Sequence, residues 1–385
     1  MNPRVTAIPG SIIRQIASKK RATSIDLGLG EPTLLPSIEH FEYAMQRTAR
    51  EGVKYTANAG DPELRAAIAG YYAYPRMTGA ENVCITAGSQ EAMYVTLMTL
   101  LDSAFDELLV VEPAFPSYLK MATLGGVAVR TVSMLEDDGF AFDAERILAG
   151  IGTATRAIVL CSPCNPTSRV LRREQAELLV EALRKRDGEP IWLIHDEIYR
   201  EQCFVDDAAD LARMYPHTIV TNSLSKSNAL TGLRLGWILG PGDFIEQAVK
   251  AHAWVTSCAD TFAQYVAAHI FAGGDGVREH AAWYARQREA VVAALRESGL
   301  PHVVPDGAFY ACVGLPHGVD SLAASLALID RHDVVAIPGR AFGAAMEGWL
   351  RCSWVAPTDV VVEGFRRIAD WSRATSASGG GSSVA

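Results

Sequence analysis

Residues 223–236 read SLSKSNALTGLRLG, a lysine among hydroxyls and small side chains with one arginine eight positions on. No other charge stands between Lys226 and Arg234. A lysine of this kind can condense with an aldehyde or act as a general base. A solvated loop is the bland alternative. The apolar runs on either side, TIVTNS (218–223) and LGWIL (235–239), argue against it. Ser223 and Ser225 flank the exit of the first run, and the nearby glycine and alanine leave room beside the lysine.

Three other polar stretches follow apolar runs in the same way. In ITAGSQEAM (85–93), Gly88 allows a tight turn and Ser89, Gln90 and Glu91 open a helical stretch. Backbone N–H groups at a helix start suit a phosphate, although an ordinary cap would read the same. In CSPCNPTS (161–168), Asn165 precedes Pro166 and is held extended, with an amide free to donate to an oxygen. A plain Asx-turn is the competing reading. In HDEIYR (195–200), Asp196 and Glu197 end an apolar strand, where a carboxylate is costly unless something positive meets it. Tyr199, three residues on, can point a phenol into the same crevice; a helix cap by Asp196 is the alternative.

The elements that must position these residues are legible as short apolar runs. LLVV (108–111), VAVRTV (127–132), AIVLC (157–161), IWLIHD (191–196), TIVTNS (218–223) and LGWILG (235–240) suit strands covered on both faces. Helical stretches such as REQAELLVEALRKR (173–186) lie between several of them. Repeated β-then-α order predicts an α/β fold whose large domain has a mostly parallel central sheet flanked by helices. Such sheets bind ligands outside the carboxyl ends of their strands. Residues 276–300 read as one long helix, and a smaller α+β domain follows. The boundaries expected are an N-terminal arm over 1–45 belonging to the small domain, a large domain over 46–275 that carries the strand-end residues, the small C-terminal domain over 276–371, and a disordered Gly/Ser-rich tail over 372–385.

Composition excludes several function classes. The 385 residues carry a net charge of −9 without basic blocks, which argues against nucleic acid or a membrane surface as partner. No apolar run approaches the roughly 20 residues that span a bilayer. The basic N-terminus could be a transit peptide, but Ile12, Ile13 and Ile16 suit a docked helix. Seven scattered cysteines read as reduced cytoplasmic thiols. Cys161 and Cys164 spell CxxC without a second pair at zinc spacing, so no metal site is expected.

Taken together, the strand-end residues describe one ligand. It has a protonatable ring nitrogen (Asp196), a ring hydroxyl (Asn165, Tyr199), a phosphate (Gly88, Ser89, Gln90, Ser223, Ser225, Arg234) and an aldehyde (Lys226). Pyridoxal 5'-phosphate has all four. SLSKSNALTGLRLG also resembles the lysine-attachment pattern of the fold-type I pyridoxal-phosphate enzymes, in the class I/II aminotransferase family. The resemblance runs on through DLGLGEP (26–32), KYTANAGDPELRAAIA (54–69), EPAFPSY (112–118), GAFYACV (307–313), PGRAFG (338–343) and LRCSW (350–354). One departure is NPTS at 165–168, where the family usually reads NPTG.

The resemblance implies an aspartate aminotransferase-like fold and an aminotransferase that works between an L-amino acid and a 2-keto acid. It implies a Schiff base on Lys226, Phe115 stacked on the ring, and Gly30 and Arg351 at the substrate. It also implies a homodimer in which Tyr55 reaches the neighbouring subunit's phosphate. A C–S β-lyase or a cyclase on the same fold is the alternative, since these reactions share the strand-end residues. A cofactor-sensing regulator would need a DNA-binding domain, and the chain before Asp26 is too short for one. Arg340 and Arg200 are candidates by position only for a second carboxylate.

Overall fold

The computed structural model of the chain describes residues 1–273 and 276–379. Its centre is a seven-stranded sheet. The strands are β1 (Val83–Thr86), β2 (Glu107–Glu112), β3 (Ala128–Ser133), β4 (Thr155–Cys161), β5 (Trp192–Asp196), β6 (Thr218–Ser223) and β7 (Gly236–Leu239). Their spatial order is β1-β7-β6-β5-β4-β2-β3, and only β7 runs antiparallel to its neighbours.

The two-residue side-chain period of a strand explains the continuous apolar runs. Leu108 and Val110 of β2, Ala157 and Val159 of β4 and Ile194 of β5 enter one core, with Met93 and Leu97 from the helix Ser89–Leu100. Leu109, Val111, Ile158, Leu160 and Leu193 enter the core on the other face. There they meet Ala176, Leu179, Val180 and Leu183 of the helix Arg173–Arg184. That spacing of three, one and three residues is one helical face. Each fully buried Leu or Val side chain contributes about 1.5–3 kcal/mol relative to exposure, so both faces are strongly specified.

Three expectations need correction. Residues 128–132 of VAVRTV lie in the edge strand β3 and are half-buried or exposed, not covered on both faces, while Val127 before the strand is buried; Arg130 there pairs with Glu107 at 2.8 Å. The long helix begins only at Ala281 and ends at Ser298, preceded by a 3-10 turn at Gly276–Arg278. Residues 372–379 are not a disordered tail but the end of the helix Thr358–Gly379. Arg373 pairs there with Asp370 at 2.7 Å, and no proline or glycine stands between Phe365 and Gly379. Residues 380–385 lie outside the described residues.

The smaller module holds an antiparallel sheet of β8 (His302–Val303), β9 (Tyr310–Gly314), β10 (Ile337–Pro338) and β11 (Trp349–Ser353), in the order β10-β11-β9-β8. The N-terminal segment is tied to it. Ile25–Asp26 pairs in parallel with Val334–Val335, and Ile13 and Ile16 are buried with Ile337 and Phe342. Among the described residues, no helix is long and apolar enough to cross a membrane, and no group of side chains is arranged to hold a metal ion.

Candidate active site

The carboxyl ends of β4, β5 and β6 open into a cavity of about 920 Å3. The N-terminal segment from Ile8 to Arg14 and the loop from Arg340 to Gly343 also line it. Ser89, Gln90 and Phe115 stand on its wall, as do Asn165, Asp196 and Tyr199 at the strand ends. Ser225, Lys226 and Arg234 reach it from the β6–β7 connection, and Gly30 and Arg351 from the small module. Most of the residues singled out by sequence therefore meet in one place.

Lys226 sits on a short helix, Leu224–Ser227, that continues β6 directly. Its Nζ donates to the Gly30 carbonyl at 2.6 Å. Burial, reinforced by the nearby Arg351 and Arg234 guanidinium groups, pushes the amine down to about 8. A substantial neutral fraction at mild pH suits a nucleophile or base. Gly30 cannot carry a side chain here, because a Cβ would fall 2.0 Å from the Tyr310 hydroxyl.

One end of the cavity is built for an anion. The helix Ser89–Leu100 begins at Gly88, in the left-handed region at φ 82, with no side-chain cap on its first amides. A Cβ on Gly88 would lie 2.4 Å from Arg234 Nη2, so glycine lets the guanidinium sit against the helix start. Arg234 is itself left-handed at φ 53, and its Nη1 donates to the Thr231 carbonyl at 2.8 Å. Gln90 Nε2 donates to Ser117 Oγ at 3.1 Å on the same wall. Open amides and an arginine together are a phosphate-binding donor set.

At the other strand ends lie a carboxyl and a guanidinium. Asp196 is buried, and burial raises its pKa to about 6 despite hydrogen bonds from the Tyr118 hydroxyl (2.7 Å) and the Ile198 amide (3.2 Å). Arg351, 2% exposed on β11, donates from Nη1 to Asn165 Oδ1 at 3.1 Å and from Nη2 to the Gly28 carbonyl. Its plane lies 4.4 Å from the Tyr310 ring centroid and 4.9 Å from that of Phe342. Its Nε is buried without a hydrogen-bond partner. No carboxylate among the described residues forms an ion pair with Arg351, Arg234 or Lys226. Charges out of water are normally paired; Arg351 is buried and Lys226 half-buried without such a partner, and Arg234 stands exposed on the same cavity, so the three cations mark a place for anionic or electron-rich ligand groups.

Three expected residues lie elsewhere. Ser223 does not line the cavity; its Oγ accepts from the Ser225 amide at 3.2 Å and so caps the turn that carries Lys226. Gly88 acts through the space it leaves. Tyr55 is 89% exposed and away from the cavity. The two arginines considered for a second carboxylate are already engaged. Arg340 pairs with Asp320 at 2.6 Å and Glu347 at 2.8 Å. Arg200 pairs with Glu197 at 2.8 Å and does not line the cavity.

Sequence reasoning missed Tyr118 and Tyr310. Tyr118 stands in the first turn of the helix Ser117–Gly125, its ring 6.3 Å from that of Phe115, and nothing in the sequence marks its hydroxyl as a partner of Asp196. Tyr310 bonds Tyr199 through the two hydroxyls at 2.9 Å. Ser168, at the departure from NPTG, takes the left-handed φ of 58. Such a conformation costs a non-glycine residue of order 1–3 kcal/mol. Its hydroxyl donates to the Tyr310 carbonyl at 2.8 Å and accepts from the Tyr310 amide at 3.2 Å. Two hydrogen bonds at about 0.5–1.5 kcal/mol each offset that cost.

The comparisons with known proteins agree with this geometry. Residues 22–367 match the family described as Aminotransferase class I and II. An aspartate aminotransferase of Pyrococcus horikoshii is 33% identical over 95% of each chain. A solved single mutant of Thermus thermophilus aspartate aminotransferase superposes with a TM-score of 0.88 at 29% identity, covering 96% of this chain and 99% of that one. The solved aromatic aminotransferase of Pyrococcus horikoshii gives a TM-score of 0.85 at 30% identity, covering 94% and 99%.

Proposed function

The chain belongs to the class I and II aminotransferase family, and on that premise we propose how its own residues hold pyridoxal 5'-phosphate and transfer an amino group. The observation that carries the reading is the set of charges without ion-pair partners on one cavity: Lys226, Arg234, Arg351 and the carboxyl of Asp196. The donor set fits the cofactor. The open amides after Gly88, with Arg234 and Ser225, take the phosphate. Asn165 takes the ring hydroxyl with the amide N–H groups that Arg351 leaves unused, and Tyr199 stands beside it. Asp196 keeps the ring nitrogen protonated, and that positive charge is the partner its buried carboxyl lacks.

When bound, the cofactor supplies an aldehyde that condenses with amines and a ring that withdraws electrons from the bond being broken. Lys226 would be the residue that holds it through the aldehyde, its amine then being available as a base beside a bound substrate. Arg351 grips the substrate carboxylate as a two-pronged fork, its plane fixed by Asn165 and the Tyr310 and Phe342 rings. That grip would set the substrate Cα–H beside the Lys226 amine, which would serve as the general base holding and moving that proton. Phe115 covers the ring and excludes water.

The proposed assembly is a homodimer. Tyr55 and Trp254, 89% and 92% exposed, lie on segments held together by Asn58 Nδ2 to the Ser257 carbonyl (2.6 Å) and Thr261 Oγ1 to the Lys54 carbonyl (2.6 Å). An exposed aromatic patch of this kind suits a second copy, whose phosphate site Tyr55 would complete. The seven free cysteines fit a reducing compartment, the cytoplasm. Acceptor dependence tests the reaction class. Keto-acid release only with a 2-keto acid acceptor supports transamination; ammonia release without one contradicts it and points to a β-lyase or cyclase.

A further inference from the structure

One ionisable group on the cavity wall has no task in this scheme. Glu112 ends β2, is 8% exposed, and lines the cavity. Its carboxyl makes no hydrogen bond or ion pair with any described residue. Burial alone raises its pKa. With no partner among the described residues, its carboxyl oxygens open onto the cavity and are free to accept from a group that fills it.

The surroundings narrow the partner. Gly343 has φ 129, and a Cβ on it would lie 3.0 Å from the Glu112 carboxyl carbon. Glycine therefore keeps space open beside the carboxyl. The preceding residue, Phe342, lies against the Arg351 guanidinium. One short loop thus stands between the site for the α-carboxylate and the site at Glu112. The other wall charges do not compete for that role. Arg340 is engaged by two carboxylates. Glu31 is exposed and accepts from the Thr231 hydroxyl at 2.9 Å. Arg14 is exposed and Lys120 half-buried, so both keep water.

We propose that Glu112 selects the substrate: it is the subsite for an amino acid whose side chain ends in a cation, a guanidinium or an ammonium. The inference rests on the reading that Arg351 takes the α-carboxylate. An acidic side chain in the same place would meet a like charge and no free arginine.

The test is a half-reaction screen of the holoenzyme, following loss of its visible band with L-arginine, L-ornithine, L-leucine and L-aspartate. Arginine or ornithine should exceed leucine in second-order rate constant by about tenfold or more, and aspartate by about a hundredfold. Glu112→Gln should lower the arginine-to-leucine ratio about tenfold, mainly through apparent affinity, and Glu112→Asp should restore part of it. An unchanged ratio in Glu112→Gln, or a wild type that prefers leucine or aspartate, overturns the inference alone. No reaction with any amino acid overturns the transaminase reading and the inference with it.

Discussion

Asp196 and Glu197 are adjacent, both buried, and opposite in circumstance. Burial pushes both carboxyls up. For Glu197 the Arg200 guanidinium at 2.8 Å and the His195 ring at 3.0 Å outweigh it and hold the group at about 2. The Tyr74 hydroxyl adds a hydrogen bond at 3.0 Å. Asp196 accepts from the Tyr118 hydroxyl and the Ile198 amide but forms no ion pair with any described residue, so burial prevails and the group rises to about 6. The strand alternation sends the two side chains to opposite faces, so one joins a closed network and the other a ligand cavity. Arg200 and Arg351 repeat the contrast: the first is paired with a carboxylate, the second is not. Charge left without a partner distinguishes the site from the scaffold.

The largest effect should come from the cavity side. Lys226→Ala should cut turnover about 10⁴-fold or more, while cofactor binding through the phosphate contacts survives. Single-turnover kinetics and equilibrium dialysis check the two halves.

Asp196→Ala should cost about 10²–10³ in kcat, and Asn165→Ala far less, because only the former removes a charge partner. Comparable losses would count against the ring-nitrogen role.

Glu197→Gln should behave oppositely. It leaves the half-buried Arg200 with only the more distant Glu201 and Asp210 carboxylates, at 3.8 and 3.9 Å, which costs about 1–3 kcal/mol of stability, with turnover per folded molecule changed only a few-fold. Thermal melts and kinetics on the same preparation would show the crossing.

The same contrast has a pH signature in the apoprotein. Asp196 has a folded pKa of about 6, above its ordinary 3.8. Its contribution to stability is therefore complete below that ordinary value and lost as pH rises through about 6. Apo Asp196→Asn should be more stable than wild type by about 1–3 kcal/mol at pH 8, with the difference closing towards pH 4. A variant no more stable at pH 8 would remove the comparison's physical basis.

The smallest effect belongs to the scaffold. Ser168→Ala should lose about 1–2 kcal/mol, because the left-handed backbone stays and the Tyr310 bonds go. Ser168→Gly should be close to neutral by the same melts.

The strands around the site were legible because both faces of β2, β4, β5 and β6 are covered, which writes apolar runs into the chain. VAVRTV reads the same way although β3 is an edge; a run of Val and Thr does not say whether a second layer lies over it. Lys226 and Asp196 were legible as cavity residues from their strand-end positions, and Arg351 from the family pattern. Tyr118 was not, because one more tyrosine in an aromatic segment carries no sign of what its hydroxyl meets. Ser223 was assigned to the phosphate because a serine beside Lys226 reads alike whether it binds a ligand or caps a turn. Glu112 sits openly in EPAFPSY, but its lack of a partner is a property of three dimensions.

The central claim is that Lys226 is the covalent anchor of pyridoxal phosphate. Loading the protein with the cofactor, reducing with borohydride and mapping the peptides tests it most directly. The account predicts one fixed adduct, on the peptide containing Lys226. An adduct on another lysine, or a protein that stays colourless with no adduct, would contradict it.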